Sequence, residues 1–184
     1  GQHDAPHPPV LHILAGADPC DGGPAYSVPR LCEALGGAGA DLALLSDARA
    51  EAARREGRGP FYRDSRYPWD YAAIPVLSGL RASSGLHRAL QQQAGAARLI
   101  HDHGLWLMPN LYAGWVAAQN GLPLMVAPRG MLSEAARAFS PLKKRIFWRL
   151  LQGPAIRRVA CFHATSEQEY EDIRSFGLRA PVAV

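Results

Sequence analysis

Leu99-Ile-His-Asp-His-Gly-Leu-Trp106 is an apolar run that ends in two histidines, a carboxylate and a glycine. In a β-strand, alternation would place His101 and His103 on one face and Asp102 on the other. Ligands of an open parallel α/β sheet bind beyond the carboxyl ends of the strands. We therefore expect the chemistry of the chain where this strand ends. The alternative is a strand whose last polar residues are simply solvated.

Apolar runs that suit strands recur on both sides of this stretch and alternate with helical patterns. The predicted strands cover residues 10–15, 41–46, 73–77 near a sheet edge, 99–103, 124–127, 160–164 and the start of one more at 181–184. Such alternation predicts parallel βαβ units with right-handed crossovers. The expected fold class is α/β, a Rossmann-like parallel sheet flanked by helices.

The helices are predicted from apolar spacing and from capping residues. The first carries Val28, Leu31, Cys32 and Leu35, with Ser27 as its cap and Pro29 in its first turn. Others are expected at 51–56, along Leu86, Leu90 and Ala94, at 111–119 behind an Asn110 cap, after Ser140-Pro141, and after a Ser166-x-x-Glu169 capping box.

The length and composition of the chain limit the class of protein to which it can belong. The chain has 184 residues, of which 48% are hydrophobic and 20% charged, as expected for one globular domain. It contains no apolar run long enough to cross a bilayer and no signal sequence at its start, so we expect a cytoplasmic protein. Three cysteines without C-x-x-C spacing are expected to stay reduced. We expect residues 1–9 to be a flexible leader and 10–184 to form the domain.

Four loops would meet at one edge of a parallel sheet. They are Gly22-Gly-Pro24, His101-Asp-His103, Arg129-Gly130 and Thr165-Ser166. The diglycine loop leads into a helix start, where free N–H groups favour an anion such as a phosphate. Arg129 can grip a phosphate or a carboxylate with two hydrogen bonds. The alternatives are an ordinary tight turn for the glycines, a surface position for Arg129 and a helix cap for Ser166.

The two histidines permit three interpretations. As metal ligands, His101 and His103 would need a third ligand, and none is obviously placed beside them, so we expect no metal. As a general base, either would need a nucleophile that no motif supplies. As hydrogen-bonding groups that position a hydroxylated ligand, they need only the right geometry, and we prefer this role. A metal-dependent hydrolase that uses both histidines remains a competing hypothesis.

The ordered set of Gly22-Gly-Pro24, His101-Asp-His-Gly104, Ala127-Pro-Arg-Gly-Met-Leu132 and His163-Ala-Thr-Ser-Glu167 closely resembles the retaining GT-B glycosyltransferases of family 4. The resemblance spans nearly all of residues 10–184. It implies an N-terminal, acceptor-side Rossmann-like domain, which is one half of a GT-B fold. A second domain would hold a nucleotide-sugar donor, and transfer would take place in the cleft between the two.

The resemblance also implies roles for individual residues. His103 would be the catalytic residue and contact the donor sugar, while Gly22, Gly23 and Arg129 would bind the donor phosphates. Substrate contacts are implied for His101, Gly130, Ser166 and Glu167. Many relatives carry a histidine where this chain has Arg129. Enzymes of this kind retain anomeric configuration, usually without a metal or other cofactor, and support of the leaving diphosphate would be the main protein contribution.

One family feature is absent from the sequence. The second domain of such enzymes carries two glutamates eight positions apart, and no two glutamates here have that separation. We therefore expect an acceptor domain that lacks transferase activity by itself. The alternative is a stand-alone α/β module that binds a small anion or a sugar.

Residues 141–158 combine six basic residues with large apolar ones and contain no acidic residue. Such a segment can lie on anionic lipid at the inner face of a membrane, or it can pack its apolar residues in the core with solvated charges outside. Because relatives often extend lipid-linked glycans in polysaccharide synthesis, a peripheral membrane contact is a reasonable hypothesis. A nucleic-acid partner is not expected, because the chain lacks a recognised binding module.

Overall fold

The computed structural model describes residues 9–48, 61–70 and 73–184. They form a seven-stranded sheet of order β3-β2-β1-β4-β5-β6-β7 in which every neighbouring pair is parallel. The strands are β1 Val10–Leu14, β2 Leu42–Ala48, β3 Tyr62–Pro68, β4 Leu99–His103, β5 Leu124–Ala127, β6 Cys161–His163 and β7 Val182–Ala183. The predicted α/β fold class is confirmed.

Helices connect the strands. They are α1 Gly23–Gly37, α2 Pro75–Gly79, α3 Ser84–Ala94, α4 Met108–Asn120, α5 Glu134–Ala138, α6 Pro141–Phe147, α7 Gly153–Ala155 and α8 Glu167–Ser175. A 3-10 turn at Pro19–Asp21 precedes α1, and a π-helical turn at Trp148–Gln152 joins α6 to α7.

The strand order reverses direction between β1 and β4. The chain first moves outward through β2 and β3, and then returns to place β4 on the other side of β1. Such a switch point opens a crevice at the carboxyl ends of the two strands, which is the usual ligand site in this fold class. His103 ends β4 at this crevice and is in register with Leu14 of β1.

The core has two parts, one on each face of the sheet. Leu11, Ile13 and Ile100 are fully buried in the larger part, on the side of α3 and α4. Leu14 packs in the smaller part, on the side of α1. Since side chains alternate along a strand, the residues between the apolar ones on β1 and β4 share the α1 face, and several of these are histidines.

The predicted third strand is wrong. Residues 75–79 form α2, and Pro75 occupies the first helical turn, where a missing N–H costs nothing. The edge strand is β3 instead, whose sequence Tyr-Arg-Asp-Ser-Arg-Tyr-Pro has no apolar alternation to reveal it. The helix predicted at 51–56 and nearly all of the leader lie outside the described residues.

Two helix starts also differ from the prediction. Helix α1 begins at Gly23, five residues before the predicted first residue Val28, so Ser27 is not its cap and Pro29 lies inside it. Helix α4 begins at Met108, and the Asn110 side chain accepts a hydrogen bond from the N–H of Leu107 at 3.3 Å. Asn110 therefore supports the helix start from its third position rather than from the capping position.

Candidate functional site

Four imidazole rings meet at the carboxyl edge of the sheet. His12 comes from β1, His101 and His103 from β4, and His163 from the end of β6. The rings of His101 and His103 have centroids 4.1 Å apart, while those of His12 and His103 are stacked at 5.3 Å. His163 joins them through His101, with ring nitrogens 3.2 Å apart. We call these residues the histidine cluster.

Arg129 follows β5 and closes one side of the histidine cluster. Its Nη2 lies 3.0 Å from Nδ1 of His103, and Nε2 of the same ring lies 3.0 Å from Nδ1 of His12. Both nitrogens of His103 thus have partners inside the protein. The predicted convergence of His101, His103 and Arg129 at one edge is present.

The interior of the histidine cluster is buried, and burial keeps its rings uncharged. His103 has 1% of its surface exposed and His12 has 2%. Burial, helped by the charge of Arg129, lowers the pKa of His12 to about 4. Burial and the neighbouring histidines lower the pKa of His101 to about 2, and burial also depresses the pKa of His103 strongly. These rings are therefore neutral at neutral pH.

The buried histidines make stability depend on pH. An unfolded imidazole titrates near pH 6.5, and His12, His101 and His103 titrate lower in the folded chain. Their contribution is therefore complete above about pH 6.5 and is lost as the pH falls toward about 4. We expect His12→Phe to reduce the slope of unfolding free energy against pH by about 1.4 kcal/mol per unit in this window.

Urea unfolding between pH 4 and 7.5 measures that slope. Leu150→Ala, on an exposed surface of the chain, should leave it unchanged. An equal slope in wild type and His12→Phe would show that His12 is not a buried neutral base in the folded protein.

The geometry changes a premise about metals, although the expectation that no metal binds stays a prediction. His12 supplies the third histidine that the sequence did not place beside His101 and His103, and one ring nitrogen of each lies within 4.8 Å of the others. Spacing of this kind is compatible with a three-histidine metal site. His12 lies directly beside His101 in the strand register, a relation that its distance along the sequence hides.

Asp102 faces away from the histidine cluster, as alternation predicts. It is fully buried, and its Oδ1 accepts a hydrogen bond of 2.8 Å from the Asn110 amide. Burial raises the pKa of this carboxyl well above its usual value. Asp102 therefore joins β4 to the start of α4 as a structural residue rather than as a charged part of the site.

The diglycine turn lies after β1, at the same edge. Gly22 has a φ of 94°, which favours glycine, and a Cβ added to Gly22 or Gly23 would meet no atom within 4 Å. The turn thus exposes backbone at the N-terminus of the 15-residue helix α1. Asp21, which precedes it, is paired with Arg81, and Arg81 Nη1 also lies 3.7 Å from Asp47 at the end of β2.

Glu169 fixes the Arg129-Gly130 turn. Its carboxylate accepts hydrogen bonds from Gly130 N–H at 2.6 Å and from Thr165 N–H at 2.7 Å. Ser166 caps α8 as predicted, by accepting from the N–H of Glu169 at 3.2 Å. The Glu169 side chain reaches across to the β5 loop, however, so the predicted reciprocal capping box is only half formed. Ser166 and Glu167 are exposed beside this turn.

A cavity of about 350 Å³ lies at the opposite edge of the sheet. Small residues line it, including Gly114 and Ala117 of α4, with Arg157 and Arg158 at its side. Helix α4 runs back from the carboxyl edge, so the cavity lies far from the ends of the strands that carry the histidines. It makes no contact with the candidate site.

Three residues of the site were given no role from the sequence. His12 and His163 lie in predicted strands, Glu169 lies in a predicted cap, and His163 also belongs to the motif His163-Ala-Thr-Ser-Glu167. For His12, pairing the strand at 10–15 with the strand at 99–103 would have placed the two histidines side by side. The contacts of Glu169 depend on the β5 loop, which no local pattern predicts.

Comparisons with known proteins agree with this architecture. Residues 22–184 match the model of the glycosyl transferase 4-like domain. The solved structure of Anabaena Alr3699/HepE in complex with UDP and glucose is similar over 97% of this chain, with a TM-score of 0.62 and 16% identity. A UGT transferase from Siraitia grosvenorii in complex with UDP is similar over 95%, with a TM-score of 0.51 and 8% identity.

The chain spans 44% of the Anabaena chain and 50% of the Siraitia grosvenorii chain. No curated protein sequence matches it significantly. At these identities the solved structures establish the fold alone, whereas the domain model covers most of the sequence. The chain therefore belongs to the glycosyl transferase 4-like family.

Proposed function

We propose that the chain is the N-terminal, acceptor-side domain of a retaining glycosyltransferase, which moves a sugar from a nucleotide-sugar to a glycan or lipid-linked acceptor in polysaccharide synthesis. The observation that carries the proposal is the open diglycine turn at the N-terminus of α1, on the same sheet edge as Arg129 and the histidine cluster. The donor-binding domain would follow in the complete protein. The neighbours' lengths, about twice that of this chain, support this arrangement.

The sheet edge that carries the diglycine turn and Arg129 has groups that can bind a diphosphate. The N-terminus of α1 offers the positive end of the helix dipole and the N–H of Gly23, since Pro24 has no N–H and the N–H of Ala25 donates to the carbonyl of Gly22 at 3.1 Å. No side chain at Gly22 or Gly23 blocks approach. Arg129 adds a full positive charge and five N–H donors. In the described part of the chain its Nε is buried without a hydrogen-bond partner. Together these groups would stabilise charge as it develops on a departing diphosphate.

The sugar would lie over the exposed residues beside Arg129. His163 is the half-exposed ring of the histidine cluster, and Gly130, Ser166 and Glu167 are exposed next to it. The direct sugar contact that the resemblance implies for His103 stays a prediction, as does a substrate contact for His101. A direct contact between His103 and the sugar requires His103 to lose its hydrogen bond with Arg129 or with His12. Leaving-group assistance needs no protein nucleophile and no metal.

Sugar transfer from UDP-glucose, the donor bound by the Anabaena neighbour, tests this proposal. The complete protein should transfer the labelled sugar to a glycan or lipid-linked acceptor, whereas the 184-residue chain alone should not. Transfer by the chain alone would contradict its role as half of the enzyme. A complete protein that binds a small anion but transfers no nucleotide-sugar would favour the stand-alone binding module.

We also propose that residues 141–158 contact the inner face of a membrane. None of the helices in the described residues combines the length and the apolar character that crossing a bilayer requires. Leu142, Ile146 and Leu150 are spaced by four and are 62%, 51% and 70% exposed. The segment's inward side carries Trp148, whose ring packs on those of Trp106 and Phe176 at 5.5 and 4.5 Å.

The charges of this segment support the same orientation. Lys143, Arg145 and Arg149 are exposed on the helix that carries the apolar stripe. Lys144 is the exception, because its ammonium donates to the carbonyl of Ala136 and lies 5.5 Å from the Trp106 ring. Exposed leucines between exposed basic residues are typical of a surface that lies on anionic lipid. Acceptors linked to a lipid would then approach from the membrane.

Replacement of Leu142, Ile146 and Leu150 by serine is expected to lower binding to anionic vesicles by at least about tenfold, because apolar area no longer enters the lipid. Co-sedimentation with vesicles that contain phosphatidylglycerol measures this. Val76→Ser, which removes an equally exposed apolar side chain on α2, is the control and should bind as wild type does. If wild type bound purely zwitterionic vesicles as strongly as vesicles that contain phosphatidylglycerol, a contribution of the basic residues would be ruled out.

A further inference from the structure

The hydrogen bonds around His103 determine where its proton lies. A guanidinium donates hydrogen bonds and cannot accept them. Since Arg129 Nη2 lies 3.0 Å from His103 Nδ1, this nitrogen accepts, and the neutral ring carries its proton on Nε2. That N–H points at His12 Nδ1, 3.0 Å away, so His12 accepts there and carries its own proton on Nε2. One arginine thus sets the tautomers of two buried histidines.

We propose that Arg129 selects the charge of the ligand that the histidine cluster accepts, because it holds His103 in the Nε2–H form and adds a positive charge beside it. When Arg129 is present, the histidine cluster binds an anion on the side that Arg129 occupies and does not bind a divalent metal ion. Identification of that anion as the diphosphate of a nucleotide-sugar rests on the proposed function. The selection itself rests on the hydrogen-bond geometry.

Without Arg129 the same rings would suit a metal. His12, His101 and His103 bring one nitrogen each within 4.8 Å, they come from rigid strands, and their neutral state is the one that binds metal ions. Because Nε2 is the nitrogen of His103 that faces His12, a metal shared by the two rings would need the lone pair of His103 Nε2. With Nδ1 already accepting from Arg129, metal binding at Nε2 would require an imidazolate, with a guanidinium charge close to a divalent cation.

The position of Arg129 is itself held by the fold. Its backbone has a φ of 55°, an uncommon value for a residue with a side chain. The next residue, Gly130, donates its N–H to Glu169 at 2.6 Å, and Thr165 Oγ1 donates to the same carboxylate at 2.9 Å. Glu169 is therefore a positioning residue that joins the β5 and β6 loops and keeps Arg129 at Nδ1 of His103.

Titration with Co²⁺ and with inorganic pyrophosphate tests the selection in the 184-residue chain. Wild type should bind pyrophosphate and show no visible absorption of a histidine-bound cobalt. Arg129→Ala should bind pyrophosphate at least about tenfold more weakly, since a charged hydrogen bond is lost. The same variant should bind Co²⁺ at least about tenfold more tightly. Arg157→Ala, at the opposite edge of the sheet, is the matched control and should behave as wild type does.

Two titration results would overturn the inference. One is Co²⁺ bound by the histidines of wild type, and the other is unchanged Co²⁺ and pyrophosphate affinity in Arg129→Ala. Histidine ¹⁵N chemical shifts of wild type give a test that needs no variant. They should show the Nε2–H tautomer for both His12 and His103, and the Nδ1–H tautomer of either would contradict it. A complete protein without transferase activity but with these tautomers would overturn only the proposed function.

Discussion

Gly23→Ala is expected to lower sugar transfer by the complete enzyme by about 30- to 100-fold, equivalent to about 2–3 kcal/mol of transition-state stabilisation. Gly23 begins α1, and a Cβ there would meet no atom within 4 Å outside its chain neighbours and its own helix. The added methyl group would therefore stand in the space that we assign to the donor diphosphate. It would hold the phosphate oxygens away from the N-terminus of α1 and the positive end of its dipole.

The fold itself should tolerate the change. Alanine is favoured over glycine within a helix by about 0.5–1 kcal/mol, and this gain offsets the restriction that Pro24 places on a side chain at the preceding residue. Thermal unfolding of Gly23→Ala should thus stay close to that of wild type. Loss of activity without loss of stability is the pattern expected of a ligand-contact glycine.

Gly37→Ala provides the matched control. Gly37 is the last residue of the same helix, and a Cβ there also meets no atom within 4 Å. This variant should keep wild-type transfer, because it lies at the end of α1 that points away from the carboxyl edge. Equal activity of Gly23→Ala and Gly37→Ala would remove the diglycine turn from the donor site.

Gly114→Ala is expected to destabilise the chain by about 3 kcal/mol, near the upper end of the usual cost of overpacking. An added Cβ on α4 would lie 2.3 Å from the carbonyl oxygen of Ala155 and 2.8 Å from its carbonyl carbon. Both are backbone atoms of α7, so no side-chain rotation can relieve the contact. Helix α4 and the segment around Ala155 would have to move apart.

The corresponding fall in melting temperature is about 6–12 °C for a chain of this size. Thermal or urea unfolding measures it, with Gly37→Ala as the reference for the same chemical change in open space. Stability of Gly114→Ala within about 0.5 kcal/mol of wild type would show that α4 and α7 are not in close contact. Because Gly114 also borders the cavity at the far edge, little change is expected at the histidine cluster.

The parallel fold was predictable because its central strands are short apolar runs with flanking helices. The runs at β1, β4 and β5 each keep their side chains buried on both faces, which gives a signal that needs no tertiary information. Edge strand β3 gave no such signal. Its residues Arg63, Asp64 and Arg66 make ion pairs, and its pairing with β2 is a property of the completed sheet.

The candidate site was predictable in its location but not in its connections. The ends of the predicted strands indicated that His101, His103 and Arg129 lie at one edge of the sheet. Their mutual contacts confirm that these three residues lie together. The partners His12 and Glu169 depend on strand register and on a loop-to-loop contact. Alternation and capping rules describe a few neighbouring residues, so they contain no information on either.

The histidine cluster also constrains the order in which the chain can fold. His12 and His103 are separated by 91 residues, and His101 and His163 by 62. Loop closure over such lengths must precede any gain from these contacts, and dominance by non-local contacts slows folding. The imidazole stack should therefore form late, after the central strands have paired. A ribosome-bound nascent chain that ends before β6 would lack His163 and would therefore carry an unfinished histidine cluster.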